Sequence, residues 1–390
     1  IYLFEHDQNF GILCKIEHVA FEPALPKHIS DEFRSMTLFF LAGYTFESAR
    51  IDNDHLIFAS LQSTLALTYT LAGKFKEAEI EANKSIQTAI RLNNPTLRIE
   101  NEFSLGLGYY YQGAYQESLE KFGLVTQMAE SNFYWRFVLE SISVINRVFL
   151  ALGKTYQCFE NIQNGFTLAK IYQYKSMHSI LINSEARLYL AFGKYEKAIT
   201  LFEEALKFSN NKRNTLLNEM WVGFSKILMG DLEKGLVLLQ QVVDDVETQQ
   251  LIQIQLEAKA RLGLAQYLKG ETQEALNLLE EVTIQSKAYG FAGAGTTYAF
   301  VRAKEALQKN KPEIAREMAD IIMNKAKQEE SPWLEWHALE IMIAADHLEE
   351  KSSKEYQSQK QFILRNLNQS KPQSLDFSLD PNFPRLFVLV

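Results

Sequence analysis

Cysteine and proline are scarce in this chain, at two and eight of its 390 residues. Cys14 and Cys158 are too few for a disulfide framework, and a reducing cytoplasm is the expected compartment. So little proline leaves most of the length free to be helical. No run approaches the roughly 18 apolar residues that read as a membrane span, so no membrane partner is expected. An excess of base is missing too: 40 Lys+Arg stand against 48 Asp+Glu, the signs are interspersed, and the net charge is -8. A direct nucleic-acid binder would show a basic face or stripe, and none is visible here.

Catalytic signatures are equally absent. The histidines (His6, His18, His28, His55, His178, His337 and His347) form no HExxH, and two distant cysteines give no zinc spacing. There is no GxxxxGK[ST] phosphate loop and no GxSxG elbow. Carboxylate pairs such as Glu203-Glu204 and Glu280-Glu281 read as solvated charge on helix surfaces. The glycine-rich YGFAGAG, Tyr289–Gly295, follows a helical stretch rather than a strand and reads as a loose loop. No cofactor, no metal and no enzymatic activity are expected. The start, IYLFEHDQNFGILCKIEH, has neither an initiator Met nor the basic-then-apolar order of a signal peptide. A fragment or processed chain is the expectation, with any catalytic or output domain lying elsewhere.

What the chain does have is a ruler. Gly73, Gly113, Gly153, Gly193, Gly230 and Gly270 fall 40, 40, 40, 37 and 40 residues apart, and the next steps land on Asn310 and Glu350. Gly43 lies 30 residues before the first. Five residues after the marks stand the small residues Ser48, Ala78, Ser118, Cys158, Ala198, Gly235, Ala275 and Ala315, with Glu355 the one exception. Seven before stand Ala66, Gly106, Asn146, Ala186, Gly223, Gly263 and Ala303, all small but Asn146. Apolar residues recur at three- and four-residue spacing on both sides of each mark. The unit is therefore helix, glycine turn, helix, with small residues where two backbones must approach. Such a period builds one continuous core rather than separate globular domains.

Small residue, aromatic three later, glycine turn, aromatic two later and alanine five later resembles the tetratricopeptide repeat. The resemblance covers roughly residues 31–368. The 40-residue period, in place of 34, is similar to the variant in kinesin light chains. It is also similar to the helical sensor domains of large ATPase-type regulators such as the bacterial maltose transcription activator. It implies an all-α fold: a right-handed α-α superhelix of about eight or nine helix pairs. Residues 1–30 read as an entry segment, 31–368 as the array and 369–390 as an extended tail. Trp333 and Trp336 read as sealing the last, polar, capping pair.

In this superfamily the first helix of each unit lines the concave face. That geometry places Leu67, Leu107, Arg147, Arg187, Phe224, Leu264 and Lys304 on one inner row, six residues before each mark. A second row, ten before, holds Ser63, Phe103, Ser143, Asn183, Met220, Ala260 and Phe300. Arg147 and Arg187 occupy equivalent positions on adjacent units and, with Asn183, form a candidate clamp for a carboxylate or phosphate. The alternative is that they pair with Glu140 and Glu185 and only balance charge. Tyr109 reads as core, whereas Tyr110 and Phe103 read as groove anchors; Phe224 and Lys304 complete the candidate groove. The expected function is recognition of a protein or peptide in the concave groove, as a scaffold in signalling or regulation. A small effector is the other expected partner, were the array the C-terminal sensor of a larger regulator such as an ATPase-type transcription activator, cyclase or kinase.

Overall fold

The computed structural model describes residues 55–209, 211–247, 251–292, 295–369 and 372. The entry segment 1–30, the array before residue 55, Cys14 and nearly all of the 369–390 tail lie outside the described residues.

Sixteen α-helices follow one another there, in eight hairpins. They are α1 (His55–Leu71), α2 (Phe75–Arg91), α3 (Pro95–Tyr111), α4 (Tyr115–Ser131), α5 (Trp135–Ala151), α6 (Thr155–Ile171), α7 (His178–Ala191) and α8 (Tyr195–Lys207). Then come α9 (Lys212–Met229), α10 (Leu232–Glu247), α11 (Ile252–Lys269), α12 (Thr272–Tyr289), α13 (Gly295–Gln308), α14 (Pro312–Glu329), α15 (Pro332–Leu348) and α16 (Lys354–Gln369). First helices touch the first helices of neighbouring units, and each second helix packs against the first helices that flank it. The odd-numbered helices therefore form the inner layer.

Every described mark of the ruler ends a first helix in the left-handed region. Gly73, Gly113, Gly153 and Gly193 have φ of 73°, 75°, 68° and 72°; Asn310 and Glu350, where glycine is lost, have 54° and 56°. The next amide closes each helix by reaching back five residues, as from Lys74 N to Tyr69 O (2.8 Å) and Lys351 N to Asp346 O (2.9 Å). The small residues do what their spacing implies. Ser118 Oγ donates to Gly106 O at 2.9 Å, Cys158 Sγ to Asn146 O at 3.6 Å, and a side chain at Gly235 would meet Gly223 O at 2.7 Å. Asn146, the one large member of its row, is buried and accepts from Asn161 Nδ2 at 2.8 Å. Cys158 is fully buried, which pushes its thiol pKa well up and leaves it unreactive.

The array also closes on itself. The glycine turns of the early units dock against the links between late units. A side chain at Gly73 would lie 2.7 Å from Tyr289 O and 2.9 Å from the Phe291 ring. One at Gly113 would meet Glu329 at 2.7 Å, and one at Gly153 would meet Leu367 at 2.6 Å and Pro332 at 2.7 Å. Ala292 N donates to Tyr111 O at 2.8 Å, Gln116 to Glu330 at 2.9 Å, and Trp333 Nε1 to Leu150 O at 2.6 Å. Phe291 meets Phe75 and Tyr111 edge-on, at 5.5 and 5.6 Å. Two expectations are corrected here. In the 289–295 segment Phe291 is buried and docks above the Gly73 turn, while Tyr289 and Gly290 stay exposed. Trp333 seals more than the last pair, since its indole reaches α5.

The final hairpin caps the core: α15 is buried along Trp333, Trp336 and Ile341, while α16 buries only Ile363 and Leu367. Burial alone would raise the Glu340 pKa, but the His337 imidazole, 3.6 Å away, and Lys360, bonded at 2.9 Å, outweigh it and hold the carboxyl at about 2. An unfolded glutamate titrates at 4.5. This depressed pKa therefore contributes stability that is present above pH 4.5 and is lost as pH falls towards about 2.

Two outcomes are expected. Gly73→Ala costs about 2–4 kcal/mol, from left-handed backbone strain plus overpacking. It also speeds hydrogen exchange at the Ala292 amide; unchanged exchange there would show that the contact does not hold the closure. Glu340→Gln removes up to roughly 3 kcal/mol at neutral pH, and urea titrations of the variant lose the stability slope between pH 4.5 and about 2.

Candidate ligand groove

The inner faces of α5, α7, α9 and α11 carry a concentration of arginine. Arg147 and Arg187 share one register on adjacent first helices, as expected. With Asn183, Asn214, Leu217, Asn218 and Trp221 they line a cleft of about 20 Å³, room for about one water. Asn183 Nδ2 donates to Asn218 Oδ1 at 2.7 Å, and Asn218 Nδ2 donates on to Ser209 Oγ at 3.0 Å. This relay fixes the floor of the cleft. The relay runs from α7 through α9 to Ser209, just past the end of the second helix α8.

Glu140 and Glu185 have other neighbours. Glu140 pairs with Arg136 at 3.0 Å, one turn away on its own helix. Glu185 faces Lys197 and Glu204, and burial raises its pKa. Arg147 makes no ion pair or hydrogen bond among the described residues. Burial lowers the Arg187 pKa and Arg147 lowers it further, against the opposing pull of Tyr110 and Glu257.

The cluster is wider than the two rows suggest. Arg261 is 1% exposed and its guanidinium stands 4.2 Å from the Trp221 ring centroid; that of Arg187 stands at 4.6 Å. Burial takes the Arg261 pKa down to about 10, although Glu257, bonded at 3.2 Å, pulls it back up. Arg213, at the start of α9, donates to the Tyr111 hydroxyl at 3.1 Å and to Gln253 at 3.2 Å. The Tyr111 phenol is raised chiefly by burial, with Arg213 and Arg147 opposing. Glu257 is the carboxylate that recurs among the influences on Tyr111, Tyr115, Arg187 and Arg261.

The remaining candidates divide. Tyr110 sits beside the cluster, its ring 5.5 Å from Tyr111 and 6.2 Å from Tyr115. Phe103 packs edge-on against Phe122 and Phe137, at 5.2 and 6.3 Å, so it is held between units as core. Phe224 is fully buried under Arg261, 5.7 Å from its guanidinium, and a ligand would meet Arg261 first. Lys304 lies over Phe300 at 5.3 Å and does not line the arginine cleft. Reading two rows missed Trp221 and Arg261, which share a third register nine residues before Gly230 and Gly270. It also missed Arg213 and Tyr111, which a long-range contact brings together.

Comparison with known proteins bears on the fold. A tetratricopeptide-repeat model matches residues 186–214. A Rap protein crystallised with Competence and Sporulation Factor superposes with a TM-score of 0.51, at 12% identity, over 80% of this chain and 91% of the other. The array is a TPR-like solenoid. Two further TPR-like structures are more distant. A signal-transduction ATPase with a tetratricopeptide-repeat sensor, from Pyrococcus horikoshii, aligns at 11% identity over 88% of this chain and 53% of its own, with a TM-score of 0.43. The TPR-like repeats of a Podosopora anserina kinesin light chain align at 20% identity over 49% and 95%, with a TM-score of 0.34. No curated protein sequence matches. Within this TPR-like array, no described helix is long and apolar enough to cross a membrane, and no described group of His, Cys, Asp and Glu could hold a metal.

Tyr111→Phe is expected to cost about 0.5–1.5 kcal/mol, the net worth of one hydrogen bond. The loss should appear as a lower urea midpoint with unchanged helical circular dichroism, and a midpoint equal to wild type would show that the phenol–Arg213 contact is not formed in solution.

Proposed function

We propose that this protein is a non-catalytic recognition module that takes an extended peptide or partner segment along its inner layer of helices, in a signalling or regulatory role. The observation that carries this reading is the Arg147–Asn183–Arg187 cleft. Two guanidinium groups face inward at equivalent positions on adjacent units, above a fixed asparagine relay and away from the acids nearest in sequence. A solenoid suits such a task because many weak contacts are spread along a long concave face, with the charged pair setting register. The Rap protein of like fold was crystallised bound to a factor, which makes a partner-bound state a reasonable expectation for this architecture. Arg147, Arg187 and Asn183 are assigned to hold the ligand, with Tyr110 beside them; Phe103, Phe224 and Lys304 act from behind or further along.

Selection of a displayed random-peptide library on the immobilised full chain tests this. Wild type should enrich a sequence family, and the Arg147→Ala/Arg187→Ala double variant should bind the winners at least about tenfold more weakly, the worth of one charge-assisted contact. Failure of wild type to enrich any family, or equal binding by a folded double variant, would sink the reading.

A further inference from the structure

We propose that the interior arginine cluster is a binding site for a phosphoryl group. This deepens the recognition reading and rests on it for the path by which the rest of the ligand lies in the groove. Arg147, Arg187, Arg213 and Arg261 come together from α5, α7, α9 and α11, and Glu257 is the carboxylate placed among them. That glutamate is already engaged by Arg261 at 3.2 Å and by the Gln253 amide. Among the described residues, four guanidinium groups against one carboxylate leave three positive charges at this cluster, in a protein whose net charge is -8. Composition therefore does not account for them.

Several partly enclosed bases of this chain meet acids. Lys121 meets Glu102 at 2.7 Å, Arg316 meets Asp346 at 2.6 Å, and Lys360 meets Glu340 at 2.9 Å. Arg147 and Arg187 make no such ion pair among the described residues, and each stands in the other's field, which lowers the Arg187 pKa; like charges held close together are costly. An anion relieves the cost. The excess of three charges favours a phosphate monoester, which carries close to two negative charges at neutral pH, over a carboxylate, which carries one. Arginine forks bind phosphoryl oxygens in pairs. The cleft is small, about 20 Å³, so the group enters end-on, displacing water and spreading the half-exposed Arg147 and Arg187 side chains. Trp221, in contact with two of the arginines, reports the event.

The test uses the full chain with inorganic phosphate and phenyl phosphate, against acetate and benzoate, at constant ionic strength. At about 5 mM, the phosphates should raise Tm by at least roughly 2 °C and change the Trp221 fluorescence, while acetate and benzoate act no more than chloride. Arg147→Gln and Arg187→Gln should each weaken phenyl phosphate at least about tenfold, Arg147→Lys should restore part of it, and the exposed Arg91→Gln should leave it intact. Tighter binding of a phosphorylated peptide than of phenyl phosphate would place the source in a protein partner; equal binding would place it in a small phosphorylated molecule. No response beyond chloride, a benzoate response matching phenyl phosphate, or an undiminished response in Arg147→Gln would overturn the site. Should a glutamine variant fail to fold, the wild-type ranking of phosphates over carboxylates decides alone. Phosphate binding without peptide enrichment would sink the recognition reading and leave this site standing; enrichment without phosphate binding would do the reverse.

Discussion

The structure depends on the approach of early glycine turns to late inter-unit links. At Gly73, Gly113 and Gly153 a single added carbon would lie 2.7 Å or less from a neighbour more than 170 residues away in sequence. Glycine is used in these turns for two separable reasons. The left-handed φ is one, but Asn310 and Glu350 adopt it at the same place in their units, so conformation alone does not demand glycine. The second is space. Because nothing projects from these turns, Phe291 can lie between Phe75 and Tyr111, and Trp333 can reach the last turn of α5. At Gly230 and Gly270 an added carbon would meet no described neighbour within 4 Å, so those turns take no part in this closure among the described residues.

Closure sets the electrostatics of the interior. Neighbour-to-neighbour stacking alone would leave the inner layer facing a broad, wet concavity, where isolated arginines are commonplace. Drawing the two ends together brings Tyr111 against Arg213, beside a stack of adjacent units in which Arg261 lies against Trp221 with its pKa reduced to about 10. It remains charged at neutral pH, so its cost is tolerated rather than escaped by deprotonation. On the outside, the same chain scatters exposed acids and bases whose pairs contribute little. The contrast between a solvated exterior and an enclosed cationic interior is what gives the arginine cluster chemical meaning.

The local grammar of this fold was legible in the sequence because each unit repeats it. Gly106 with Ser118, Asn146 with Cys158, and Gly223 with Gly235 stand twelve residues apart, and each pair meets across its hairpin. The left-handed turns at Asn310 and Glu350 followed from spacing after glycine had gone. Part of the groove was legible for the same reason: Arg147 and Arg187 share a register, and adjacent registers stack. Phe224 shared that register and is core instead, because Arg261 from the next unit covers it. What periodicity cannot carry is the angle by which one unit turns on the next. That angle decides that Tyr289–Ala292 meets the Gly73 and Gly113 turns, that Tyr111 meets Arg213, and that Trp333 meets Leu150. Each of these contacts joins units with no sequence relation beyond membership in the array.

Closure also changes the mechanics of such an array. A solenoid in which each unit touches only its neighbours is quasi-one-dimensional, and a distortion at its centre fades along the chain. Here the ends are tied to each other, and Tyr111 belongs to both the tie and the cluster: its carbonyl accepts from Ala292 and its hydroxyl from Arg213. A ligand that spreads Arg147 and Arg187 works against α5 and α7, and α5 ends at the Leu150 carbonyl that holds Trp333. On the proposed reading, the free energy of ligand entry and that of closure are therefore not independent terms. Thermodynamic reciprocity then requires that whatever loosens the contact between early turns and late links changes affinity at the cluster by the same factor as the ligand changes closure.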